Sequence, residues 1–294
     1  MPICVVDVSS KDHIVHAALP RSSIGSTPRF IVVVLVAIVV VLVAIRPLLV
    51  GLVGADLLFF EVAIAAIVSA VFQFRAASGF DRGEHLRRAY LYQAWSSLMA
   101  TVFVILPPAT SPAAHLLAAA IILVVNVGSV IGTWMFSRAF AAAGLELPGS
   151  RARKLAVVAV FGGGAIVFAG GPMAQSAAAL AGGDLAQLTA LISFAGDLVI
   201  FVLIGPLFLT ALALRGGLLV WPWALFTAAG ACWIITDALG LILPLSSGVG
   251  ADASQHWLNL WPVMAYLLAA AAAHAQRALI RARPVRGRHR TAAR

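Results

Sequence analysis

Residues 193–201 read "SFAGDLVIF": one carboxylate, Asp197, inside a stretch otherwise suited to hydrocarbon. A charge at a helix centre in a bilayer costs about 2.5–3.5 kcal/mol even on lenient insertion scales. The apolar run around Asp197 extends over residues 187–214, more than the roughly 20 helical residues that cross a bilayer core. Working outward, seven further segments qualify: 30–50, 55–75, 89–108, 115–139, 153–171, 218–244 and 257–279. The links carry turn chemistry: "LPPATSP" at 106–112, "AGGPMAQS" at 169–176 and "LPLSSGVGADASQ" at 243–255. The predicted fold is all-α, a polytopic membrane bundle of eight transmembrane helices.

Composition agrees. The 294 residues are 62% hydrophobic and 11% charged, whereas a soluble domain is about a quarter charged. The stretch before Phe30 is mixed and partly polar, without the short apolar region and small-residue cleavage site of a secretory signal. Two cysteines, Cys4 and Cys232, make neither a disulfide framework nor a CxxC metal site.

Charge sets the expected orientation. Of twenty basic residues, nineteen fall before the first span, in alternate links and the span ends beside them, or after the last span, and only Arg46 lies away from that side within a span. The links 51–55, 107–114, 172–186 and 245–256 contain no Lys or Arg. By the positive-inside rule both termini are cytoplasmic and the protein belongs in the cell membrane. The expected division is a cytoplasmic segment 1–29, a transmembrane domain 30–280 and a basic tail 281–294 without regular structure. That tail, "RARPVRGRHRTAAR" with the preceding turn, is a topology anchor and a patch for anionic membrane lipids. It has no interleaved aromatics to stack bases, so nucleic acid is excluded as a partner.

A faint repeat runs through the chain. Asp56 precedes Arg75 as Asp197 precedes Arg215, and spans three and seven both finish in proline motifs. His115 and Arg138 bracket span four as His256 and Arg277 bracket span eight. Four helices separate each pair, so the halves would form a parallel 4+4 repeat.

Four ionisable side chains lie well inside spans: Arg46, Glu61, Asp197 and Asp237. Counting about 1.5 Å per residue along each span places all four in the outer half of the bilayer, within a layer roughly 10 Å deep. Arg46 is the charge partner for one of three acids. The other two lack a counter-charge and are expected to hold a proton, which suits a general acid or a proton carrier. Around them, Trp233 lies four residues before Asp237 and Phe201 four after Asp197, so both are candidate lining residues, with the deep Trp95 and with Asn126. Gln93, Ser97 and Thr101, and likewise Asn126, Ser129, Thr133 and Ser137, form stripes that read as helix seams. Trp221, Trp223, Trp134, Trp257 and Trp261 fall at span edges and read as an aromatic belt. "FGGGAIVF" (161–168) lacks the context of a phosphate loop and reads as close helix packing. No lysine lies deep within a span, Lys11 and Lys154 both falling on the cytoplasmic side, and nothing calls for a metal, ATP, a nicotinamide or another cofactor.

Glu61 in "FFEVAIA" on the second span, Asp237 on the seventh and their aromatic neighbours resemble the small integral-membrane terpene cyclases. The resemblance rests on two acids and their order. It implies a helical membrane enzyme in which Glu61 and Asp237 act as the acid pair on an isoprenoid and Trp233 stabilises a cation. Three function classes follow. The first is a membrane-embedded enzyme using carboxylic acids on an apolar, lipid-like substrate, with Glu61, Asp197 and Asp237 catalytic. The second is a proton- or cation-coupled small-molecule carrier, supported by the repeat and by "GP" at 205–206. The third is a sensor or scaffold acting through a partner chain.

Overall fold

The computed structural model describes residue 45 and residues 58–142, 150–214, 217–246 and 251–281. Among them run seven helices and no strand: α1 (Leu58–Ala77), α2 (His85–Ile105), α3 (Pro112–Ala142), α4 (Arg151–Ala181), α5 (Gln187–Ala213), α6 (Val220–Ser246) and α7 (Ala251–Arg281). Six of them, all but α2, are long and apolar enough to cross a membrane. By helix length and composition this is a multi-pass membrane protein. Apart from Ile45, the expected first span, 30–50, with Arg46, the segment 1–29, Asp56, Arg215 and the tail beyond Arg281 lie outside the described residues.

Local chemistry sets the helix ends. Ser111 accepts a hydrogen bond from the Ala114 amide at 3.2 Å, and Pro112 occupies the first helical position of α3. Ser150 caps α4 through the Arg153 amide at 3.3 Å. Gly183, at φ +96°, closes α4: its amide reaches Leu180 O, and the amide of Asp184 reaches Ala179 O. That double closure requires a left-handed residue, which glycine supplies without steric cost.

Two sequence expectations change here. "AGGPMAQS" is not a link: α4 runs through it, with Pro172 inside the helix and the link beginning only at Gly182. A proline removes one backbone hydrogen bond and kinks a helix without having to end it, and Gly170 and Gly171 put no side chains into the deflected turn. The expected third span is a helix of 21 residues, α2, yet it has no stretch as apolar as those in the other six that mark candidate membrane crossings. Its polar groups are satisfied by its neighbour: Gln93 Nε2 donates to Ser129 O at 3.0 Å and Thr133 Oγ1 at 2.9 Å on α3, and the Ser96 hydroxyl reaches Val125 O at 2.8 Å.

Six helices form a ring in which each packs on two others, in the order α1, α2, α3, α5, α6, α7 and back to α1. Two runs of three consecutive helices, α1–α3 and α5–α7, therefore make the two halves. The α4 helix stands outside, against α5 and to a lesser extent α6. Its remaining surface is apolar and open, with Val167 72% exposed, as suits contact with acyl chains. Of the triple glycine, Gly162 approaches Val202, whereas added Cβ atoms at Gly163 and Gly164 would meet nothing within 4 Å. Close packing thus accounts for one glycine of the three.

The ring is filled at its arginine-rich end, where Arg75, Arg138, Arg151 and Arg277 lie. Tyr90, 1% exposed, sits among Phe136 (ring centroids 4.9 Å), Phe226 (5.8 Å) and Phe80 (6.0 Å). Ala76, Leu207, Trp223 and Ala273 complete a cluster drawn from all six ring helices. Trp223 is therefore part of this plug and does not belong to the interfacial belt expected of it. Trp134 is exposed, with the Arg138 guanidinium 4.9 Å from its ring.

Candidate functional site

The α5–α6 contact positions the two acids. A Cβ on Gly230 of α6 would collide with the Ile204 side chain of α5, so the two backbones come together there. Ile204 lies seven residues after Asp197, and Gly230 seven before Asp237. Seven residues are two turns, so each acid shares a face with its contact residue. With the helices antiparallel, both carboxyls arrive at one level about 10 Å beyond the crossing. There Asp197 and Asp237 lie close enough to interact electrostatically. Ser193, one turn before Asp197 on the same helix face, has its hydroxyl within reach of that carboxyl. Asp237 Oδ2 is buried and has no hydrogen-bond partner among the described residues. Neither α5 nor α6 carries a lysine or arginine between its ends.

The third wall comes from α7. Trp233 meets Tyr266 edge to face, ring centroids 5.6 Å apart, and Tyr266 is within electrostatic reach of Asp197. Tyr266 also packs against the cluster of Val62, Ala65 and Val263 between α1 and α7. The site is thus two neighbouring carboxyls, a hydroxyl, and an aromatic pair on α6 and α7.

No family model, curated protein or solved structure matches the chain.

The remaining sequence candidates fall in different places. Glu61 is partly buried in the first turn of α1, and is not among the charged groups acting on Asp197 or Asp237. The structure thus brings Asp237 to Asp197. Arg46 lies outside the described residues. Phe201, 1% exposed, is sealed among Ala165, Ile204 and Trp233 in the α4–α5–α6 seam. Asn126 is seam material: its Nδ2 donates to Ile192 O at 3.4 Å, and a Cβ on the neighbouring Gly196 would collide with it. Trp95 is not brought to the acids. It is 55% exposed on the outer face of α2, edge to face with Phe74 at 5.5 Å.

Sequence reasoning passed over Tyr266 and Ser193. A signal for Tyr266 existed: it is one of three tyrosines in the chain and lies mid-span, where a hydroxyl needs a partner. Nothing in the sequence singles out Ser193 before its spacing to Asp197 is considered.

Proposed function

We propose that this is a proton- or cation-coupled carrier of small molecules whose coupling site is the Asp197–Asp237 pair. One observation carries the reading: two carboxyls lie within electrostatic reach of each other on adjacent helices with no basic residue on either, and Asp237 Oδ2 is buried without a hydrogen-bond partner among the described residues. Such a pair is costly in a bilayer unless it holds a proton or a cation, and exchange of that occupant is what couples transport. Pairing of the α1–α3 and α5–α7 triplets around one ring supports a parallel repeat, an architecture that recurs among carriers. In this reading the arginine-rich end and both termini are cytoplasmic in the cell membrane, with the plug around Tyr90 closing the cytoplasmic side. The basic tail beyond Arg281 then lies at the anionic inner leaflet.

A second reading rests on the aromatic pair. Trp233 and Tyr266 beside Asp237 supply the wall that a general acid acting on an isoprenoid-like substrate would need to shelter a cation. The two readings differ in access. Asp197→Cys and Asp237→Cys, made singly with Cys4 and Cys232 replaced, are to be challenged with an impermeant thiol reagent from either side of sealed vesicles. The carrier predicts labelling from both sides, and the enzyme labelling from one. If neither cysteine is labelled from either side and the variants lose only thermal stability, the pair is a structural seam and both readings fall.

A further inference from the structure

At the arginine-rich end, the seam between α1 and α7 gathers basic side chains from both helices onto one outward face. His274, Arg277 and Arg281 are spaced i, i+3, i+7 on α7, and so line one side of it. Arg75 comes from the last turn of α1, which packs directly on α7. Phe72 ties the two together: the Arg75 guanidinium lies 5.9 Å from its ring centroid, and the His274 ring meets it edge-on at 5.7 Å. The charged groups felt by His274 are Arg75, Arg277 and Arg281, and those felt by Arg277 are Arg281 and Arg75, with no carboxylate among them. Both helices end here, so their carbonyl ends offset part of the mutual repulsion. The remaining positive charge is open to an external anion.

The surface leading to this cluster says what kind of anion. Phe60, Ile64, Ile67 and Val71 are all exposed and, at i, i+4, i+7 and i+11, form one apolar stripe that ends at Arg75. From Ile64 to Arg75 the stripe is about 16 Å long, close to half of a hydrocarbon core of roughly 30 Å and so the reach of an acyl chain in one leaflet. A free anion would use only the cationic end, whereas a lipid uses both. We propose that the α1–α7 seam holds one anionic phospholipid, its phosphate between Arg75 and Arg277 with His274 and Arg281 at its rim, and an acyl chain along Ile64, Ile67 and Val71. This site is formed by folded helices, is separate from the tail beyond Arg281, and does not depend on the carrier reading.

The test titrates the purified full-length protein with phosphatidylglycerol in a neutral detergent and counts bound lipids by native mass spectrometry, with phosphatidylcholine as the uncharged comparison. Two basic contacts at a membrane surface are worth about a thirtyfold factor, so Arg75→Gln with Arg277→Gln should weaken phosphatidylglycerol binding by about that much. Arg151→Gln with Arg153→Gln removes the same charge at the same end on α4 and should leave the affinity unchanged. Should the first pair fail to fold, the exposed His274→Gln with Arg281→Gln should lower affinity on its own. Equal losses in the α4 control overturn the site in favour of diffuse charge. Loss on removal of residues 282–294, with none on changing Arg75 and Arg277, assigns the lipid to the tail and also overturns it. Displacement of the lipid by inorganic phosphate at comparable concentration overturns the acyl-chain part by making the ligand a free anion.

Discussion

Asp197 and Asp237 meet because two residues with no charge let them. Gly196 accommodates Asn126 of α3, and Gly230 accommodates Ile204 of α5, each at a point where a Cβ would collide. Gly230→Ala is expected to cost about 1–3 kcal/mol through overpacking, read as a lower melting temperature of the solubilised protein. Part of that loss should return when Ile204→Val is added, since the colliding atoms include Ile204 Cδ1. The same Ile204→Val change should do nothing for Gly196→Ala, where the obstacle is Asn126. Gln73 gives a contrasting case. It is fully buried on α1, its Nε2 donates to Ser69 Oγ at 3.0 Å, and its Oε1 has no hydrogen-bond partner among the described residues. A buried acceptor left unmade costs about 1–3 kcal/mol. Gln73→Met is therefore expected to hold or raise the melting temperature, and a clear loss would show that the oxygen has a partner in the membrane.

At the scale of the helix, α2 shows how a membrane element inverts the pattern of a soluble one. Gln93 and Ser96 face the protein partner α3, while Tyr92 and Trp95 are exposed. The polar stripes on α2 and α3 were legible as a seam because backbone and hydroxyl groups in lipid must find each other. The position of Trp95 was not: depth can be counted along a sequence, but which side faces lipid depends on neighbours the count does not supply. Asp197 and Asp237 lie on the legible side of that line, since their shared level follows from helix rise alone. Tyr266 lies beyond it, because its neighbours come from helices at opposite ends of the described chain. The length of α4 was misread at Pro172 for another reason, that in a bilayer a proline more often bends a span than ends it. Across the α2–α3 seam, a double-mutant cycle of Gln93→Leu and Thr133→Val should give a coupling of about 0.6 kcal/mol, the membrane average. Strict additivity of the two changes would show that their 2.9 Å hydrogen bond does not stabilise the seam.

For the whole molecule, the ring is the claim most open to direct measurement. Val62 of α1 and Val263 of α7 are buried in one cluster. With Cys4 and Cys232 replaced, Val62→Cys and Val263→Cys should be joined by a short bifunctional thiol reagent, seen as a shift in gel mobility. A pair on α4 and α1, such as Val167→Cys with Val62→Cys, should not be joined, because the two helices are not ring neighbours. The ring also has a history in time. During synthesis α1, α2 and α3 precede α5, α6 and α7 and find one another as immediate neighbours, whereas the α1–α7 wall joins residues on the order of two hundred positions apart, a long closure that comes last. Until α7 arrives, the flank of α1 that carries Val62 and Ala65 has no cover, and Trp233 has no tyrosine to meet. A chain halted before residue 251 is therefore a ring with one side missing, and should be recognised and degraded by the cell as an unfinished molecule.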